Sequence, residues 1–100
     1  MIKHIVFIRL KDVYSSSEKI DIIKEIELRL NELPKDIDEI AKLETGINFN
    51  IKASAFDLSL SVDFDTKDDL QKYQVHPKHK EVLSYLGSLD IEVAVVDYTI

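Results

Sequence analysis

The chain has no cysteine, which excludes disulfides, thiolate zinc sites, iron–sulfur clusters and cysteine nucleophiles. Its two glycines stand far apart, so no loop can cradle a phosphate and no dinucleotide fingerprint is present. With only two prolines and no low-complexity stretch or repeat, the 100 residues read as one continuous domain, 1–100. Basic residues are outnumbered: 13 Lys and Arg against 19 Asp and Glu leave a net charge of -6. That balance opposes attraction to nucleic acid or to an anionic membrane. No apolar run approaches the roughly 20 residues of a membrane span. The first residues enter an alternating pattern at once, without a signal-peptide layout, so a cytoplasmic location is expected.

What is present is patterned. Residues 2–11 alternate, with Ile2, His4, Val6, Ile8 and Leu10 on one side and Lys3, Ile5, Phe7, Arg9 and Lys11 on the other. This is the period of a strand. Ser15 and Glu18 have capping-box spacing. Behind them Ile20, Ile23, Ile26, Leu30 and Leu33 form one helical stripe, which Pro34 is expected to close. Residues 35–42 fit either one helical turn or a loop. Alternation resumes over 43–51, and Lys52 to Ala55 has the size of a hairpin connection. Residues 56–65 show the cleanest alternation, Phe56, Leu58, Leu60, Val62 and Phe64 against Asp57, Ser59, Ser61, Asp63 and Asp65. Thr66 opens a short helix through Tyr73. Pro77 starts another, with His76 just outside it and Gly87 as its C-cap. Residues 91–100 form a last strand that is apolar on both faces.

The order β-α-β-β-α-β predicts an α+β, ferredoxin-like fold, a four-stranded antiparallel sheet with helices on one face. Ile5, Phe7 and half of the last strand would then lie on the uncovered face. Burying each is worth about 1.5–3 kcal/mol, and a second copy packed sheet to sheet is the economical cover. A homodimer is therefore expected.

The segment Tyr73-Gln74-Val75-His76-Pro77-Lys78-His79 gathers two of the three histidines and a tyrosine at a helix break. In the first turn of its helix, His79 sits where the dipole disfavours imidazolium, which keeps the ring available as a base. Tyr73 can donate its phenolic proton to an oxygen gaining negative charge. His4, on the apolar face of the first strand, can meet them if that face looks toward the helices. His76 is a candidate ligand contact, or simply a helix cap. A metal reading of His76 and His79 lacks an acidic third ligand at fixed spacing. The acidic run from Asp63 to Asp69 departs from a calcium loop, with Lys67 at a ligand position and Asp68 at the turn glycine. No cofactor is expected.

Several segments are together similar to the stress-responsive A/B barrel domain, or Dabb, family. They are Met1-Ile2-Lys3-His4-Ile5-Val6-Phe7, Gly46-Ile47-Asn48-Phe49-Asn50, Phe56-Asp57-Leu58-Ser59-Leu60, the Tyr73–His79 patch and Val95-Val96-Asp97-Tyr98, in that order. The resemblance implies a ferredoxin-like chain whose sheets pair in a dimeric α+β barrel. The family includes plant stress-induced proteins and bacterial proteins without a known activity. One plant member performs a cofactor-free aldol cyclisation of a polyketide; its catalytic tyrosine and histidine match Tyr73 and His79, and its first-strand histidine matches His4. The segments that shape an acyl-chain pocket match less well, with Lys80-Glu81 after His79 and Asn48 and Asn50 in the second strand. Three functions follow. One is a homodimer binding a small aromatic or polyketide-like molecule between sheet and helices. The second is a cofactor-independent cyclase or monooxygenase, with His79 as base, Tyr73 as oxyanion donor and His4 orienting. The third is a structural stress-response oligomer.

Overall fold

A computed structural model describes residues 1–100. Seven elements follow one another: β1 (Ile2–Leu10), α1 (Ser16–Asp36), β2 (Lys42–Ile47), β3 (Leu58–Phe64), α2 (Lys67–Val75), α3 (Pro77–Gly87) and β4 (Ile91–Thr99). The strands form one antiparallel sheet in the order β2-β3-β1-β4, with the helices on one face. This is the ferredoxin-like arrangement. No helix is long and apolar enough to cross a membrane.

The core lies where the two helix-facing strand patterns meet. Ile2, Val6, Ile8 and Leu10 of β1 and Leu58, Leu60, Val62 and Phe64 of β3 are buried under Ile23, Ile26, Leu30 and Leu33 of α1. His4 stands opposite Val62 on one side and Asp97 on the other, and Ile8 lies between Leu58 and Val93.

Local chemistry sets the element ends. Ser15 and Glu18 form the expected capping box, the Ser15 hydroxyl accepting from the Glu18 amide and the Glu18 carboxylate from the Ser15 amide. Ser88, not Gly87, caps α3.

Three further expectations are corrected. Pro34 does not end α1, which continues to Asp36, and the Ile37 amide still bonds to the Leu33 carbonyl at 3.0 Å. Leu33 and Ile37 are both buried, and their packing outweighs the bias of a pre-proline residue against helical geometry. Ile20 does not join the buried stripe; it is exposed and borders a cleft under the β2–β3 connection. The second strand stops at Ile47 rather than running to 51. There the asparagines take over the backbone: Asn48 Oδ1 accepts from the Asn50 amide at 2.8 Å, and Asn50 Oδ1 accepts from the Lys52 amide at 2.9 Å. Such local bonds offer the chain an alternative to the sheet ladder. Residues 48–57 thus form a long ordered connection instead of a tight hairpin turn.

Candidate functional site

The helices cover β3 and β1 but leave β4 unroofed. Between α3 and β4 lies a cavity of about 450 Å³, and twelve of its sixteen lining residues are hydrophobic, so its character is apolar. Val82, Leu83 and Leu86 of α3 form one wall, and Ile91, Val93 and Val95 of β4 the other. Val93 and Val95 are 51 % and 53 % exposed, which leaves the cavity open along the β4 side.

His4, Gln74 and His79 are its polar side chains, and Tyr73 adds a phenolic hydroxyl. Tyr73 enters from the last turn of α2 and His79 from the first turn of α3, so the helix break at His76-Pro77 brings the two rings together. Their centroids are 4.2 Å apart, and Tyr73 meets His4 edge-on at 5.9 Å. Phe64 backs the tyrosine at 5.1 Å. Tyr73 is only 1 % exposed, yet no protein group bonds its hydroxyl. No buried side-chain polar atom lacks a partner, so that hydroxyl is the part of Tyr73 that reaches open space.

Each cavity histidine is held through Nδ1. His4 Nδ1 donates to the Asp97 carboxylate, and His79 Nδ1 donates to the Gln74 carbonyl at 3.2 Å. These bonds leave each Nε2 without a protein partner. Burial lowers the His79 pKa below its ordinary 6.5, His4 and His76 push the same way, and the Gln74 carbonyl opposes them. Burial also raises the Tyr73 phenol above its ordinary 10.0. At neutral pH the wall thus presents a basic imidazole nitrogen beside a phenolic donor.

His76 is placed differently. Its Nδ1 accepts from the Lys78 amide at 3.1 Å, capping α3, and its own amide closes α2 on the Tyr73 carbonyl at 3.2 Å. It does not line the cavity. The ligand contact expected of it is replaced by the work of joining two helices so that Tyr73 and His79 converge. Asp97 is the residue that sequence reasoning passed over. A single carboxylate on the side of β4 that carries Ile91, Val93 and Val95 was the available signal, and the β1–β4 register sets it opposite His4.

Residues 2–100 match the profile of the stress responsive A/B barrel domain. The chain belongs to this family. No curated protein matches it. A dimeric protein of unknown function with a ferredoxin-like fold from Bacteroides fragilis is 31% identical, with 99% of this chain and 95% of that one covered and a TM-score of 0.89. A dimeric ferredoxin-like protein of unknown function from Thermobifida fusca is 24% identical, over 99% of this chain and 90% of that one, with a TM-score of 0.82. The hydroxynitrile lyase of Passiflora edulis is 21% identical, over 99% of this chain and 92% of that one, with a TM-score of 0.80.

The half-buried His79 of this A/B barrel domain makes its stability depend on pH. Because the folded pKa of His79 lies below the unfolded one, the unfolded chain binds more protons between the two values. The contribution is fully present above about 6.5, the unfolded value, and is lost as pH falls from there through the folded pKa. Urea denaturation of wild type and His79→Gln at pH 7.5 and pH 5.5 checks this. The wild type should lose more stability on acidification than the variant, and equal losses would contradict it.

Proposed function

We propose that this domain works as a homodimer that binds a small, neutral carbonyl compound, aromatic or polyketide-like, in the cavity between sheet and helices. One observation carries the reading: a partnerless tyrosine hydroxyl stands beside two imidazoles held through Nδ1 in an otherwise apolar cavity. A phenolic O–H suits a carbonyl oxygen, and the apolar walls suit a ring or chain. No lysine or arginine lines the space, so a carboxylate or phosphate would lose its hydration without gaining a cation. The pairing of copies is supported by Phe7, Val96 and Tyr98, exposed apolar side chains on the sheet face away from the helices, and by the dimeric relatives.

The test is a titration with 2,4-dihydroxyacetophenone followed by the histidine ring resonances. The signals of His4 and His79 should shift with saturation while those of His76 stay in place. If aromatic ketones leave all three unmoved up to millimolar concentration, the ligand class is wrong.

A second reading, proton abstraction next to a carbonyl, is favoured by the neutral His79 with its free Nε2 against Tyr73. His79 would take the proton and Tyr73 would donate to the enolate oxygen. A lyase among the structural neighbours supports the idea that this fold can house chemistry. A purely structural stress-response oligomer, by contrast, would have no use for an open cavity on which these rings converge.

A further inference from the structure

The β2–β3 connection displays two large apolar side chains to solvent. Phe49 is 97 % exposed and Ile51 is 99 % exposed. They are not on a slack segment. Asn48 bonds the loop to itself through the Asn50 amide and to the Phe56 carbonyl, and the Asn48 amide reaches the Asp57 carbonyl. The loop is pinned to the end of β1 at its middle by Arg9 on the Ala53 carbonyl at 3.2 Å and at its base by the Leu10 amide on Asp57 at 2.8 Å. The two side chains are therefore held outward.

The same chain has an apolar opening with nothing over it, the β4 side of the cavity at Val93 and Val95. The two features sit on opposite edges of one sheet, β2 at one and β4 at the other. Three strand spacings, about 14 Å, separate them, and the pinned loop cannot cross that width to its own cavity. They do sit at the same end of the sheet: Ile47 pairs with Leu58, Leu58 with Ile8, and Ile8 with Val93. Consider two copies packed on their outer faces about a twofold axis running along the strands. Each β2 edge then lies over the partner's β4 edge, with matching ends together. Sheets pack about 10 Å apart, so the loop in its pinned form sets the outward Phe49 and Ile51 side chains beside the partner's free β4 edge. A hollow of about 380 Å³ on the outer face, bordered by Phe7, Gly46, Phe49 and Phe56, makes the loop continuous with that face.

We infer that in the dimer each copy's Phe49 and Ile51 wrap over the second copy's β4 edge and close the mouth of its cavity, so that the site is complete only with residues from both chains. The inference rests on the cavity being the binding site, but its first test needs no ligand. The cysteine-free chain allows a clean cross-link: Phe49→Cys and Val93→Cys proteins are prepared separately, mixed, unfolded and refolded together, and oxidised with copper phenanthroline. A disulfide-linked dimer should form in the mixture and not with Phe49→Cys or Val93→Cys alone. A mixture of Phe49→Cys with Lys24→Cys, on the far side of α1, should also give none. No cross-link in the mixture overturns the inference and leaves the cavity reading untouched; a monomer in solution overturns the inference together with the homodimer it rests on. The second arm uses Phe49→Ser with Ile51→Ser. This double variant should remain a dimer while its affinity for 2,4-dihydroxyacetophenone falls at least about tenfold, the loss of one large apolar contact. Unchanged affinity, in a wild type that binds, would also overturn it.

Discussion

Replacing Tyr73 by alanine should cost about 3–5 kcal/mol of stability, the usual range for emptying an aromatic from a core. Tyr73 is among the most completely buried side chains and is packed between Phe64, His4 and His79. A domain of this size has a total stability of only about 5–15 kcal/mol, so a large part of it rests on one ring. Tyr73→Phe should behave in the opposite way. The ring stays, no protein hydrogen bond is broken, and stability should change by less than about 1 kcal/mol. The ligand-directed donor alone is lost, and affinity for an aromatic ketone should fall about three- to tenfold, the worth of one neutral hydrogen bond. Urea melts and ligand titration on both variants separate the two roles. A phenylalanine variant that binds as tightly as wild type would leave the hydroxyl without a function. An alanine variant that is stable to within 1 kcal/mol would mean the core closes over the gap.

Much of this was legible in the residues because each signal was local. Strict alternation in β1 and β3 needs only neighbours in sequence, as do the Ser15–Glu18 box and the proline after His76. The break at His76-Pro77 is likewise a sequence feature, and it is what turns Tyr73 toward His79. The parts that were not legible depend on tertiary choices. Phe49 and Ile51 continue the alternation of β2, but the Asn48 and Asn50 side chains capture the backbone first, and the period loses its meaning beyond Ile47. Pro34 signals a stop that buried Leu33 and Ile37 override. Val93 and Val95 look like core, since an apolar strand residue carries no mark of whether a helix will roof it. Here none does, and the result is the cavity. Asp97 is informative only once the register is known, because its partner His4 is 93 residues away.

The largest effect on function is expected at His79. If the cavity abstracts protons next to a carbonyl, the α-hydrogens of bound 2,4-dihydroxyacetophenone should exchange with deuterium faster than in buffer, a reaction that NMR in D2O follows without knowledge of the natural product. His79→Ala should reduce the enzyme-dependent exchange by about 10²–10⁴-fold, the contribution of a positioned general base. Tyr73→Phe should reduce it by up to about 10²–10³-fold, as the enolate oxygen loses its donor. The pH profile carries a second mark. A base must be deprotonated to act, and burial holds His79 below the ordinary histidine range. The acid limb should therefore lie below pH 6.5, the ordinary value, and disappear in the alanine variant. His76→Ala leaves both cavity rings in place but removes the cap of α3, so its effect should follow stability rather than the acid limb. Binding without exchange in the wild type would make the domain a binding module. Exchange that survives in His79→Ala would move the base to His4, whose Nε2 is also free and whose ring Asp97 holds in place.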